Sequence, residues 1–331
     1  MPLTTNGSYI TVIDEVLAHW QQALTHLPPG KPLIVRLKEK DESVTRANLV
    51  TLRGQLETQQ GVVQDHRANY FINRGNIHNR KLALLGQFNG FVAMFDAYYP
   101  NTDYYDLRPY APDLAAGKDA FCTPMGEAMI AWKKINEGEA PAGVTLPLVL
   151  DDATDQGTFA SGISGLAFAY AAELPISADL KLARARRNRF QNRSRAILIG
   201  YREAAEGRLT QFPELLDTLP RITPLPGHTP EPVNASAIFV APNSSKIIWE
   251  PSNDAMLHSY QLRACAGPEW DDDDSEVKGT VFPGQPLEFV TSFGLNQPGA
   301  EVTWKVFVIL TTGNEAGSAA MAVQRPLAQV A

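Results

Sequence analysis

The sequence predicts a two-domain chain: an α-helical bundle over residues 1–212, a proline-rich linker at 213–233, and a β-sandwich over 234–326. Three observations predict it. Apolar residues recur at three-and-four spacing through the first part, the period of an amphipathic helix. Prolines 213, 220, 224, 226, 230 and 232 then crowd one segment, each fixing its own φ and disfavouring helix in the residue before it. Beyond them the period becomes two. It is clearest from Glu301 to Leu310, where Val302, Trp304, Val306, Val308 and Leu310 fall on one face of a strand.

Within the bundle, Ile10, Ile13, Val16, Leu17, Trp20 and Leu24 place a helix over 9–26, stopped by Pro28-Pro29-Gly30, with a short extended link to Leu37. A long helical pattern, with Ser43 as its expected N-cap, runs to Tyr99. It contains Gly54, Gly61, Gly75, Gly86 and Gly90. Glycine costs a helix about 1 kcal/mol relative to alanine, so the expectation is a break near Asn73–Asn79 or close helix contact at some of these positions. Leu82–Tyr99 reads as a central core helix, and 100–118 as a tyrosine- and proline-rich loop. Further helices are expected over 120–136, 158–173 (small, apolar and buried) and 178–209 (basic), with Pro175-Ile176-Ser177 between the last two. No internal repeat is visible, which disfavours a solenoid.

In the sandwich, strands are expected at 236–241, 246–251, 257–264, 276–282, 286–292, 302–311 and 318–324, separated by turn residues such as Pro283-Gly284 and Gly313-Asn314. Lys246-Ile247-Ile248-Trp249-Glu250-Pro251, Ser259–Ala264, Leu295-Asn296-Gln297-Pro298-Gly299-Ala300 and Gly313–Ser318 resemble the fibronectin type III family in its second and third strands, the turn before its sixth, and the turn into its seventh. The resemblance covers about 90 residues and implies fold, not ligand. That family places a tyrosine just after the Pro-Gly turn. Here the position falls at or near Val302, so the corner is expected to be held by packing.

Composition narrows the function. The chain has 331 residues and a net charge of −7. Residues 231–326 carry five Lys/Arg against twelve Asp/Glu, and the remainder is balanced. The acidity therefore belongs to the sandwich and argues against nucleic acid as its partner. Two cysteines, Cys122 and Cys265, exclude a disulfide framework and read as buried thiols. No stretch reads as a membrane span, and the N-terminus lacks the basic region and apolar core of a secretory signal. The expectation is a cytoplasmic protein, with signal-independent export compatible.

No catalytic set, metal site or cofactor motif emerges. Gly162-Ile163-Ser164-Gly165 lacks the final glycine of a nucleophile turn and reads as small-residue helix packing. Asp151, Asp152 and Asp155 read as helix-capping residues, and His66 and His78 are too far apart for a zinc helix motif.

Interaction candidates remain. The helix 181–208 carries nine basic residues, among them Arg186, Arg187 and Arg189. It reads as a solvated or ion-paired face, then as a partner contact, then as a phosphate contact. Asp271, Asp272, Asp273 and Asp274 lack the alternating ligands and glycine of a calcium loop; they read as a solvated acidic loop, or as a dock for a basic helix. Tyr104, Tyr105 and Tyr110 suit loop packing or a partner surface. Phe307 and Ile309 make strand 302–311 apolar on both faces, so something must cover its outer face, either the bundle or another subunit.

These features point first to a non-enzymatic structural protein that self-associates or binds another protein. The alternatives are a carbohydrate- or small-molecule-binding module, and a hydrolase whose residues converge only in space.

Overall fold

The computed structural model describes Leu3 and residues 8–28, 32–37, 42–100 and 102–326. Pro29 and Gly30, which were expected to end the first helix, lie outside these residues. Among the described residues the helices are α1 (Tyr9–His26), α2 (Arg46–Tyr98), α3 (Lys118–Glu137), α4 (Gln156–Arg208) and α5 (Pro213–Asp217). A hairpin of β1 (Val35–Leu37) and β2 (Glu42–Val44) lies between α1 and α2. After α5 come β3 (Ala235–Val240), β4 (Ser244–Trp249), β5 (Leu257–Ala266), β6 (Glu276–Val281), β7 (Glu288–Thr291), β8 (Glu301–Leu310), β9 (Glu315–Gly317) and β10 (Met321–Gln324).

Two compact units form, one from Met1–Asn69 with Asp179–Ala331, the other from Tyr70–Ala178. The division falls inside α2 and α4. The proline-rich linker marks no boundary between compact units, because it is fastened at both ends within the first. Leu215 and Leu219 join the helical core. Further on, the Leu225 N–H donates to the Thr312 carbonyl (3.0 Å) and the Asn314 side chain to the Leu225 carbonyl (3.2 Å).

In the first unit, α1 packs Val12, Ile13, Val16, Leu17 and Trp20 with Leu49, Leu52 and Leu56 of α2 and Ile197, Leu198 and Tyr201 of α4. Trp20 lies 4.6 Å from the Tyr201 ring. Buried His19 bridges Tyr201 Oη (2.6 Å) and the Leu215 carbonyl (2.7 Å). A carbonyl only accepts, so Nε2 carries a proton, and in the neutral ring Nδ1 accepts the phenol. Ser43 does not cap α2: it lies in β2, and Thr45 takes the role. The Thr45 N–H donates to Asn48 Oδ1 (2.8 Å), and Thr45 Oγ1 accepts from the Asn48 N–H (3.4 Å), reciprocal capping of two otherwise orphaned donors.

The sandwich pairs a three-stranded sheet, β3-β4-β7, with a sheet ordered β10-β8-β5-β6, in which β9 also pairs with β8. Seven expected strands appear near their places. β9 is additional: it pairs with β8 at Phe307–Ile309, and Ser318–Ala320 leave the strand before β10 begins. Val302, Trp304, Val306, Val308 and Leu310 all face the core. The corner before β8 is not held by packing alone. The Arg325 guanidinium donates to the Leu295 (2.9 Å) and Asn296 (2.8 Å) carbonyls.

The second unit packs Leu84, Phe88, Phe91 and Phe95 of α2 with Phe121, Met125 and Trp132 of α3 and Phe159 and Leu166 of α4. Phe91 stacks on Trp132 at 4.9 Å. Three expectations are corrected. α2 runs unbroken through Asn73–Asn79, and at Gly54, Gly61, Gly75 and Gly86 a Cβ would meet nothing within 4 Å, so those glycines do not serve close helix contact. α4 continues through Pro175; a proline removes one helical hydrogen bond, and the alanine-rich sequence on both sides carries the helix past it. The stretch 158–173 is only half buried. Gly162 and Gly165 pack closely beneath Leu84 and Arg80, while Ser161, Ser164, Ala167 and Phe168 are exposed.

Tyr201→Phe strands the buried His19 Nδ1 and should cost about 1–3 kcal/mol in urea unfolding. Burial raises the Tyr201 pKa above its ordinary value. The wild-type advantage should therefore be full below about pH 10 and shrink as pH rises further toward the folded-state value.

Candidate functional site

The charged candidates converge inside the first unit. Asp274, on the loop between β5 and β6, has a fully buried side chain. Arg67 of α2 donates Nη1 to Asp274 Oδ2 (2.9 Å) and to Asp271 Oδ2 (3.1 Å). Arg184 of α4 donates Nε to Asp274 Oδ1 (3.1 Å) and Oδ2 (2.9 Å), and Nη2 to Asp271 Oδ2 (3.0 Å). Arg187, one turn on, donates Nη1 to Asp274 Oδ1 (2.7 Å). Gln64 completes the seam: its Nε2 donates to the Asp274 carbonyl (2.5 Å), and its Oε1 accepts from the Ala266 N–H (2.9 Å). Arg67 also reaches the carbonyls of Ala266 (2.5 Å) and Glu269 (2.5 Å).

Burial alone would raise the Asp274 carboxyl, but hydrogen bonds and charge from Arg184 and Arg187 outweigh it and hold the carboxyl below its ordinary range. The reading of 271–274 as a solvated loop is therefore corrected for Asp274 and in part for Asp271; Asp272 and Asp273 are exposed. The basic helix that docks on this loop belongs to the same chain. Arg187 is buried in the seam, whereas Arg186 and Arg189 lie on the outer face of α4. Among the described residues, no group of three or more His, Cys, Asp or Glu side chains is placed to hold a metal ion.

Phe307 and Ile309 are buried, and their cover lies within the chain. Arg263, itself fully buried, lies over the Phe307 ring at 4.0 Å and is held by Glu315 (2.9 and 2.5 Å) and Gln261 (3.1 Å). Trp270 packs nearby, its ring centroid 6.2 Å from that of Phe307. Ile309 faces a cleft of about 740 Å³ shared with Glu15, Gln22, Arg221, His258 and Phe282. His258 and Ser259 both line this cleft, but among the described residues no hydrogen bond joins them to each other or to a carboxylate.

In the tyrosine loop, Tyr104 packs edge-on against Tyr99 at 5.8 Å. Tyr105 is exposed, and Tyr110 is 80% exposed. The loop is tied down by Arg108, bidentate on Asp96 (2.6 and 2.8 Å), and by Lys81, which donates to the carbonyls of Leu114 (2.9 Å) and Ala116 (2.5 Å). Asp155 caps α4, accepting from the Thr158 N–H (2.7 Å). Cys265 is buried and Cys122 half-buried, both as free thiols.

Sequence reasoning missed two surfaces. One is the outer side of α4 in the second unit. From Gln156 to Ala172 the helix carries no charged residue, yet Phe168 is 77% and Leu174 78% exposed. By length and composition alone one stretch of α4 is apolar enough to cross a membrane, and about a sixth of it is buried. The other is the outer face of β3-β4-β7, where Ile238, Val240, Ile248 and Val290 are exposed. Alternation marks both only when the burial of each face is known.

The strand partition decides the identity of the sandwich. With β3, β4 and β7 in one sheet and β10, β8, β5 and β6 in the other, the C-terminal region is a fibronectin type III-like sandwich. Solved structures resemble this strand region. They include a Fn3-like protein from Clostridium thermocellum (17% identity, 30% of this chain and 96% of that one, TM-score 0.23). The fn3 domain of human contactin 1 is also similar (16% identity, 32% and 86% covered, TM-score 0.26). So is pectate lyase PelI from Erwinia chrysanthemi (11% identity, 28% of each chain, TM-score 0.24), of which this chain spans little more than a quarter. The helical region is unmatched. No protein-family model and no curated protein matches the sequence.

Asp274→Asn leaves Arg67 and Arg187 buried without their full counter-charge and should cost about 3–5 kcal/mol in denaturant unfolding. Because the carboxyl is held low, its contribution is complete above the unfolded value of about 3.9. It is lost as pH falls through the lower folded value. The gap between wild type and variant should stay constant from neutral pH to about pH 5 and close below about pH 4.

Proposed function

We propose that this chain is a non-enzymatic structural protein that self-associates, with the exposed uncharged face of α4 meeting a second copy. The uncharged stretch 156–172 carries this reading. A surface helix ordinarily turns charged residues to water, as α4 does with Arg186, Arg189 and Arg193. Here Ser161, Ser164, Ala167 and Ala171 instead surround Phe168, so a neighbouring backbone can approach closely around one large apolar anchor. Exposed apolar patches of this kind are characteristic of interaction sites. The stretch spans about 25 Å at 1.5 Å per residue, which supports a weak, concentration-dependent contact.

Phe168→Glu combined with Leu174→Glu should lower self-association at least tenfold in sedimentation velocity, or about 1.4 kcal/mol, with far-UV circular dichroism unchanged. A wild-type chain that stays monomeric at all micromolar concentrations would sink the reading. Co-flotation with lipid vesicles by such a monomer would assign the face to a membrane.

A second reading, a small-molecule or carbohydrate module, is favoured by the cleft of about 740 Å³, a volume in the range of ligand sites. Any compound that raises the melting temperature through this cleft should lose its effect in Phe282→Ala, as read by thermal shift.

A further inference from the structure

Within the first unit, a groove of about 700 Å³ runs between β1 and the basic half of α4. Its lining combines aliphatic Leu37, Ala196 and Ile199 with Arg36, Arg189 and Arg193. Arg193 is bound to Glu42 (2.5 Å), and Glu203 closes one end. Among the described residues no carboxylate pairs with Arg36 or Arg189. A lining of aliphatic and guanidinium groups calls for a ligand that is both apolar and anionic.

The outer face of β3-β4-β7 has that chemistry. Ile248 lies on the central strand, directly opposite Glu288 of β7, and Glu250 follows two residues on, on the same face. Ile238 and Val290 extend the aliphatic patch in the next row, on either side of Lys246. Lys246 is occupied by Glu288 (2.7 Å), whose side chain remains half exposed. An isoleucine with carboxylates on two adjoining sides, and Ser236 and Lys246 on the others, thus complements a lining of leucine, isoleucine and arginines.

We infer that the Arg36–Arg189–Arg193 groove of one copy receives the Ile248–Glu250–Glu288 face of another. The two surfaces differ, so the contact is heterologous and propagates head to tail, closing into a ring or extending as a filament. Leu37, Phe190 and Ile199 in the lining favour an occupant with apolar side chains over a phosphate backbone, so a protein face fits the groove better than a nucleic acid. The inference rests on the reading of the chain as self-associating but uses different residues from the α4 face.

The test uses the full chain carrying Phe168→Glu and Leu174→Glu, which removes the α4 contact. Residual association should fall as salt rises. It should drop at least tenfold with Arg36→Glu plus Arg189→Glu, and equally with Glu250→Lys plus Glu288→Lys. Mixing the two charge-reversed proteins should restore association, which misfolding of either variant cannot mimic. No residual association in the Phe168→Glu, Leu174→Glu background overturns this inference and leaves the α4 reading standing. So do unchanged association in both charge-reversed proteins and failure of the mixture to associate. So does binding of a single-stranded oligonucleotide that is lost with Arg36→Glu plus Arg189→Glu while association is unchanged.

Discussion

The docking of the sandwich onto the helices depends on one buried carboxylate. Asp274 is reached by guanidinium groups from two helices, Arg67 on α2 and Arg184 and Arg187 on α4. Taking such a group out of water costs several kcal/mol, and the surrounding hydrogen bonds roughly offset that cost. The net stabilisation is therefore modest, but the positional demand is severe. Any other docking leaves dry cations facing apolar surface or a dry carboxylate without a partner. Gln64 reinforces this by reading the Ala266 N–H and the Asp274 carbonyl, backbone groups that fix register.

This constraint explains the two-sided character of β8. A strand apolar on one face can face water on the other, whereas β8 buries Thr303, Phe307 and Ile309 as well as its core face. Phe307 is covered by Arg263 and Trp270. The loop that carries Trp270 also carries Asp274, so the ionic seam and the apolar cover are parts of one piece of chain. The linker adds a second fastening through Leu225 and Asn314, which is why its prolines mark a stiff strap along one unit instead of a hinge between two.

The helix α4 shows how one element serves different environments. Near its C-terminal end Ile197, Leu198 and Tyr201 enter a core, while Arg184 and Arg187 enter the seam. Near its start Phe159 and Leu166 enter the other core and the opposite side is bare of charge. Helix geometry alone makes this possible, because positions three and four apart stay on one face wherever the neighbours change.

The sequence by itself determined the elements whose pattern is local. The seven sandwich strands, the face of β8 that enters the core, α1 and the Asp155 cap were all legible, because alternation, helical period and capping are properties of neighbouring residues. Its readings failed where a local rule met a longer-range balance. Pro175 and the glycines of α2 suggested breaks, yet one lost hydrogen bond or about 1 kcal/mol per glycine is small beside the packing of two cores. Only the tertiary structure decided which charges meet. Arg67 and Asp274 are over two hundred residues apart, and nothing in either neighbourhood marks the pairing. The nearest hint is that the apolar stripe of α2 lapses after Val63, where Gln64 and Arg67 are buried. The exposed uncharged side of α4 was read as core for the same reason. Composition reports that a face avoids charge, but only the arrangement of neighbours decides whether the chain itself covers that face.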